Sequence, residues 1–423
     1  MKMNLIKTAL LATAAALSFS AQAADDTIKV GVLHSLSGTM AISETTLKDT
    51  VLMLIEEQNK KGGVLGKKLE AVVVDPASNW PLFAEKASEL IDKNKVSVVF
   101  GCWTSVSRKS VLPVFEKSNS LLFYPVQYEG EESSKNVIYT GAAPNQQAIP
   151  AVDYLMKDLK VKRWVLEGTD YVYPRTTNKI LEAYLKAKGV KAEDIIVNYT
   201  PFGFSDWQSE VSKIKAFGSA GKKTAVVSTI NGDANVPFYK ELGNQKISAE
   251  DIPVVAFSVG EEELSGIDTK PLVGHLAAWN YFESVKSPAN TAFIKAWQTY
   301  IKNPKRTTND PMEATYIGFN LWVKAVEKAG TTDTTKVIDT LPGLEVPNLT
   351  GGTAKLLPNH HITKPVYIGE IKEDGQFETV WQTKAEVPGD AWSDFLDGSK
   401  DLESDWVALK CGNYNTKLKK CSN

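Results

Sequence analysis

Residues 101–128 read GCWTSVSRKSVLPVFEKSNSLLFYPVQY. The apolar run Val96–Phe100 stops abruptly, a helical stretch over 104–117 follows, and a second apolar run, Leu121–Phe123, stops in the same way. This pattern predicts two parallel strands joined by a helix. Ligands of parallel α/β sheets lie beyond the carboxyl ends of the strands, where helix N-termini offer free backbone N–H groups. We therefore expect one polar and aromatic cluster there, formed by Trp103, Ser105, Tyr124, Gln127 and Tyr128.

The same alternation of strands and helices runs through most of the chain. Strands at Ile28–Leu33 and Leu69–Val74 belong to a first doubly wound unit, and a second unit of similar element order starts after residues 141–144. Residues 351–382 alternate polar and apolar side chains, which is typical of an antiparallel ribbon. We predict an α/β fold of two doubly wound lobes with a ligand crevice and a hinge between them. The expected boundaries are 27–145 and 274–345 for lobe 1, 146–273 and 346–400 for lobe 2, and 401–423 for a C-terminal tail.

The first 23 residues have the pattern of a secretory signal peptide. Lys2 and Lys7 precede a short apolar stretch over residues 8–19, and Ala21-Gln22-Ala23 provides a small-residue cleavage site. The apolar stretch is shorter than the roughly 20 residues that a membrane span needs. We expect cleavage near Ala23, export, and a soluble periplasmic protein.

Charge and cysteine content narrow the function classes. The formal net charge of −2 comes from interspersed charges of both signs, which argues against nucleic-acid binding. Of the three cysteines, Cys411 and Cys421 lie close together in the tail, and export permits the disulfide that we predict between them. Cys102 is expected to be a small buried residue and not a nucleophile.

Several longer motifs resemble those of a known family. The chain resembles the type I periplasmic substrate-binding proteins of ABC transporters, the branched-chain amino acid and amide binding proteins, and within them the urea-binding branch. The stretches that carry the resemblance are 31–41, 62–66, 101–109 (GCWTSVSRK), 123–130 (FYPVQYEG), 141–147 (GAAPNQQ), 170–178 (DYVYPRTTN), 231–235 (NGDAN), 258–263 (SVGEEE) and 310–314 (DPMEA).

The resemblance implies a two-lobed receptor, and we expect it to be a monomer without cofactor, metal or catalytic activity. Its two lobes would be joined by three hinge strands, close on a ligand, and deliver it to ABC permease subunits in the inner membrane. Amide-sensing relatives use an aromatic residue and a serine where Trp103 and Ser105 stand. They also have tyrosines at Tyr124, Tyr171 and Tyr173. Two departures favour urea over the amide sensors, at Val126-Gln127 and at Asn231-Gly232-Asp233. Receptors for formamide or acetamide and an amide-responsive regulatory module remain the alternatives.

Urea is flat and uncharged, so a dry pocket must replace its hydrogen bonds to water. We expect acceptors at Gln127 and Asp233, and donors at Ser105 and the start of its helix. Asn231 and Ser258 complete the candidate site, although Asp233 is equally suited to cap the helix from Ala234. Hydrolase signatures such as Gly-x-Ser-x-Gly do not occur in the sequence. We expect His360-His361 to form a solvated turn, and 261–263 (EEE) to form a solvated helix face.

Overall fold

The computed structural model describes residues 27–422, and the predicted signal peptide lies outside that range. The first lobe contains a five-stranded parallel sheet in the order β2-β1-β3-β4-β5. Its strands are β1 (Ile28–Leu33), β2 (Leu69–Val74), β3 (Val98–Gly101), β4 (Leu122–Tyr124) and β5 (Val137–Tyr139). Its helices are α1 (Ala41–Lys60), α2 (Trp80–Ser88), which continues as a π-helical turn, and α3 (Ser105–Ser118).

The second lobe repeats this topology. Its strands β6 (Arg163–Thr169), β7 (Ile195–Thr200), β8 (Thr224–Thr229), β9 (Val254–Ala256) and β10 (Leu276–Trp279) are parallel, in the order β7-β6-β8-β9-β10. Its helices are α4 (Ala148–Lys157), α5 (Val172–Ala187), α6 (Gln208–Gly218), α7 (Asn235–Asn244) and α8 (Glu261–Leu264). In both lobes the first and third strands of the unit are neighbours, and this is the switch point where doubly wound sheets bind ligands.

The chain returns to the first lobe after β10 and then crosses again. Helices α9 (Pro288–Ile301), α10 (Asp310–Ala329) and α11 (Thr334–Thr340) pack on the first lobe, followed by β11 (Glu345–Pro347), β12 (Thr353–Lys355) and β13 (Thr363–Lys364). The predicted antiparallel ribbon is present as β14 (Tyr367–Ile371) and β15 (Phe377–Gln382), which extend the second sheet beyond β10. Strand β16 (Val387–Pro388) pairs with β13, and the tail forms β17 (Leu402–Asp405), β18 (Cys411–Asn415) and β19 (Lys420–Cys421).

The lobe boundaries differ from the expected ones in two places. Residues 276–279 were expected in lobe 1, yet β10 is hydrogen-bonded between β9 and β14 in the second sheet. Residues after 345 were expected in lobe 2, yet Val346 and Leu356 are buried in the core of the first lobe. The crossovers therefore lie near Gln146, Asn280 and Pro365.

Asn280 joins the three crossovers. Its side-chain nitrogen donates to the carbonyl of Gln146 at 2.9 Å and to that of Pro365 at 2.7 Å. The side chain is buried, so both hydrogen bonds are shielded from water. The side-chain amide of Asn280 thus bonds to both of the other crossovers.

Local sequence explains why α3 begins where it does. The Thr104 hydroxyl accepts from the backbone N–H of Ser107 at 3.1 Å, as an N-cap should. Before it, a Cβ at Gly101 would lie 2.5 Å from the Leu33 carbonyl oxygen, so only glycine permits this approach of β3 to β1. The two strand ends therefore lie side by side, and Trp103 and Ser105 follow directly.

The predicted disulfide between Cys411 and Cys421 is present, and Cys102 is buried with a free thiol. Within residues 27–422, no helix combines the length and the apolar character needed to cross a bilayer.

Candidate functional site

The two lobes touch across the crevice between them. The Gln127 amide nitrogen donates to the Ser258 hydroxyl at 2.6 Å, and the Ser43 hydroxyl donates to Glu263 at 2.7 Å. At the rim, the backbone N–H of Asp233 donates to the Thr39 carbonyl at 3.1 Å. The structure is therefore the closed arrangement of the lobes.

The first lobe contributes Trp103 and Tyr124 from the ends of β3 and β4. The Tyr124 hydroxyl donates to the Trp103 carbonyl at 2.5 Å, which holds the two loops together. Both side chains are buried, and burial raises the pKa of Tyr124, so it stays protonated at neutral pH. The indole N–H of Trp103 is buried too, and has no hydrogen-bond partner among residues 27–422.

The second lobe contributes Tyr171 and Tyr173, which stand where β6 passes into α5. Their ring centroids are 6.2 Å apart, and Tyr171 also packs on Phe202 at 4.8 Å. Tyr173 is 3% exposed, and its hydroxyl lies beside Gln127 and Ser258. Burial raises the pKa of both tyrosines. Two aromatic walls thus face the first-lobe residues.

Three buried polar atoms in this region have no partner within the described chain: Trp103 Nε1, Gln127 Oε1 and the Tyr173 hydroxyl. An unpaired buried polar group costs about 1–3 kcal/mol. Such groups are rare in native structures and need an explanation. One donor, one acceptor and one group that can do either, on residues of both lobes beside aromatic rings, match a small polar guest, and we call this region the enclosure.

Ser105 behaves differently from the expectation. Its hydroxyl donates to Glu129 Oε2 and accepts from Arg108 Nη1 at 3.1 Å. The Ser105 hydroxyl was expected to donate to a ligand carbonyl, but it donates to the Glu129 carboxylate instead. In the first turn of α3 the N–H of Ser107 is bonded to the Thr104 hydroxyl. The backbone N–H groups of Ser105 and Val106 remain as donors, because they have no partner inside the helix.

A buried charge cluster supports this corner. Arg108 is 0% exposed, and its Nε donates to Glu132 Oε1 at 2.7 Å. Its guanidinium carbon lies 4.7 Å from the ring centroids of both Tyr124 and Tyr128. Burial opposes these charges, yet Arg108 and Lys109 lower the pKa of Glu132 to about 2. Tyr128, expected among the ligand-facing residues, instead covers Arg108 and bonds its hydroxyl to His361 at 2.6 Å.

Two of the expected site residues do not enter the enclosure. Asn231 is buried, but its side-chain nitrogen donates to the Thr229 carbonyl at 3.0 Å and so folds its own loop. The Asp233 side chain is exposed at the rim, inside a 3₁₀ turn over Gly232–Ala234, and it does not cap α7. This placement contradicts both roles that we expected of Asp233, as a ligand acceptor and as the N-cap of the following helix.

Two expectations of solvated residues were wrong. His360 and His361 are both buried, and the His361 ring stacks on Tyr139 with centroids 4.6 Å apart. Glu261 and Glu263 are also buried, and Glu263 accepts a hydrogen bond from the Ser43 hydroxyl of the other lobe. Polar sequence alone did not show that other elements cover these positions.

Sequence reasoning missed Glu129 and Arg108. Both lie inside the motifs 123–130 and 101–109. Arg108 follows Ser105 by three residues, which puts the two on one helix face. The position of Arg108 on the same helix face as Ser105 was the sequence feature that could have identified it as part of the site.

Fold and site together define a class. Two lobes of repeated α/β topology close over a crevice with unpaired polar atoms, which is the architecture of a solute-binding protein. The chain belongs to the periplasmic binding protein family, because the family model described as "Periplasmic binding protein domain" matches residues 28–398.

Known proteins with similar sequences or folds agree with this class. The Leu/Ile/Val-binding protein BraC3 of Rhizobium johnstonii is 25% identical over 359 residues, which cover 82% of this chain and 92% of the relative. A solute-binding protein of an ABC transporter from Rhodopseudomonas palustris HaA2, solved with p-hydroxybenzoic acid, matches with a TM-score of 0.76 and 24% identity, covering 86% of this chain and 98% of the other. LivJ of Streptococcus pneumoniae, solved with isoleucine, matches with a TM-score of 0.68 and 20% identity, covering 86% and 99%.

Proposed function

We propose that this protein is a periplasmic receptor for urea that closes on its ligand and presents it to the permease of an ABC transporter. The observation that carries the proposal is the set of three unpaired buried atoms, on Trp103, Gln127 and Tyr173. Trp103 and Gln127 belong to one lobe and Tyr173 to the other. A ligand that pairs with all three stabilises the closed arrangement over the open one.

Urea has the hydrogen-bonding groups that these atoms lack. Its carbonyl oxygen accepts from the Trp103 indole N–H, and its amino groups donate to Gln127 Oε1 and to the Tyr173 oxygen. The rings of Tyr124, Tyr171 and Tyr173 supply flat apolar walls that exclude water around a planar guest. Gln127 then binds the ligand through its oxygen and the opposite lobe through its nitrogen.

Charge favours a neutral ligand over the acids bound by the relatives. An α-amino acid needs partners for a carboxylate and an ammonium, and an aromatic acid needs partners for its carboxylate. The buried cation behind Ser105 is Arg108, and its guanidinium is already bonded to Glu129 at 3.3 Å and Glu132 at 2.7 Å. We also expect Trp103 and the tyrosines to leave little room for a branched side chain.

Calorimetric titration of ligand-free protein tests the proposal. The protein is unfolded in guanidinium chloride, refolded, and titrated with urea, formamide, acetamide, leucine and 4-hydroxybenzoate. We expect urea to bind most tightly and the two acids not to bind. Tighter binding of leucine or 4-hydroxybenzoate would overturn the proposal. Tighter binding of formamide or acetamide would move it to the short amides.

A further inference from the structure

We propose that Glu129 is a positioning residue that makes the site reject carboxylates, an inference that rests on the proposed function. Glu129 is 1% exposed and lies behind Ser105, at the end of the loop that carries Gln127. Glu129 Oε2 accepts a hydrogen bond from the Ser105 hydroxyl. Glu129 Oε1 accepts one from Arg108 Nη2 at 3.3 Å. These two contacts fix which hydrogen-bonding group the site presents to a ligand.

The Ser105 hydroxyl is turned into an acceptor. A serine hydroxyl has one proton and two acceptor positions. Glu129 accepts the hydroxyl hydrogen bond and Arg108 Nη1 fills one acceptor position at 3.1 Å, which leaves one acceptor position, on the side of the Tyr124 hydroxyl. An N–H group of an amide can use that position, whereas a carboxylate oxygen placed there would meet another lone pair. The remaining acceptor position of Ser105 therefore favours an amide ligand over a carboxylate.

The Arg108 charge is cancelled inside the protein. Arg108 and Lys109 face Glu129 and Glu132, so two cations oppose two carboxylates. Arg108 is 0% exposed and covered by two tyrosine rings, so water does not screen it. If Glu129 were neutral, this cluster would carry an excess positive charge directly behind the site. That charge would attract a carboxylate ligand.

The test compares formamide with formate, which have nearly the same size and differ in charge. Wild-type protein is expected to bind urea and formamide and to reject formate. In Glu129→Gln the Ser105 hydroxyl loses the carboxylate to which it donates, and Arg108 loses a counter-ion. We expect urea affinity to fall at least about tenfold, as for the loss of one hydrogen bond, and formate to bind. Glu129→Asp keeps the charge and is expected to go on rejecting formate.

Two further variants separate this role from a loss of structure. Glu131→Gln changes a neighbouring glutamate that bonds to Ser393 and Ser399, and we expect it to bind like wild type. Arg108→Gln/Glu129→Gln removes both charges, so we expect it to reject formate again. If Glu129→Gln does not fold by circular dichroism, Glu129→Asp and the double variant decide, because formate binding by either one overturns the inference.

The failures of the two proposals are distinguishable. Wild-type protein that binds neither urea nor formamide refutes the proposed function, and this inference falls with it. Wild-type protein that binds urea and also binds formate refutes the inference alone. So does a folded Glu129→Gln protein that still rejects formate.

Discussion

The side-chain nitrogen of Gln127 and the hydroxyl of Ser258 meet across the crevice at 2.6 Å, and the other end of the same amide, Oε1, is buried without a partner. In the proposed binding mode, one residue therefore connects ligand binding with closure of the lobes. A ligand that pairs with Oε1 fixes the orientation of the amide, and this orientation aims the nitrogen at the second lobe.

Gln127→Met is expected to weaken urea binding about 10- to 100-fold, because it removes one hydrogen bond to the ligand and one between the lobes, each contributing about 1 kcal/mol or more. Calorimetry measures the dissociation constant. Gln382→Met, at an exposed position on β15, is the matched control and should bind like wild type. Unchanged affinity in Gln127→Met would remove this residue from the site.

Trp103→Phe tests the donor without removing the aromatic wall. The phenyl ring keeps most of the packing surface but lacks the N–H that we assign to the urea carbonyl. We expect about a tenfold weaker affinity for urea, since the carbonyl would be buried without a partner. Trp381→Phe, at a partly exposed position on β15, serves as the control. If both variants bind equally well, the indole N–H has no ligand role.

Sequence patterns predicted the parts of this fold that depend on local order. The apolar runs gave the bounds of β1 and β2 as the structure has them, at Ile28–Leu33 and Leu69–Val74. The assignment of β10 to the first lobe was wrong, because an apolar run in the sequence does not show which sheet the strand joins. Glu263 was misread for a similar reason, since its partner Ser43 lies 220 residues away in the chain.

The Ser43–Glu263 contact involves none of the residues that we assign to the ligand, and it joins α1 of one lobe to α8 of the other at 2.7 Å. Ser43→Ala is expected to shift the equilibrium toward the open arrangement and to weaken every ligand by one common factor, about three- to tenfold. Stopped-flow measurement should show this factor mainly in the dissociation rate. Ser212→Ala, at an exposed position on α6, is the control. Different factors for urea and formamide would mean that Ser43 acts on the ligand itself.

Buried histidines make stability depend on pH. Burial lowers the pKa of His275 to about 4, below the ordinary value near 6.5. The unfolded chain takes up a proton as the pH falls through about 6.5 while the folded protein does not, so this contribution is complete above that pH and is lost toward pH 4. Each such histidine changes the free energy of unfolding by about 1.4 kcal/mol per pH unit within that window.

His275→Gln isolates this effect. The glutamine can keep one hydrogen bond to Val254 N and one to the Ile247 carbonyl, which the imidazole makes at 3.1 Å each. Buried carboxyls act in the opposite direction, for example Glu167, whose pKa burial raises to about 7. The prediction therefore concerns the difference in slope between variant and wild type, measured with guanidinium chloride between pH 4 and 6.5. Equal slopes would contradict it.

The three cysteines are expected to differ in thiol reactivity according to their environment. Cys102 is 0% exposed, and burial raises its pKa, so native protein should not react with a thiol reagent. One thiol should react in guanidinium chloride and three after added reductant, because Cys411 and Cys421 are bonded. In the chain-entropy account so short a loop contributes about 2.5–3 kcal/mol. Cys411→Ser/Cys421→Ser should therefore expose the lysines at 417–420 to trypsin first, and equal digestion rates would show that tail packing suffices without the bond.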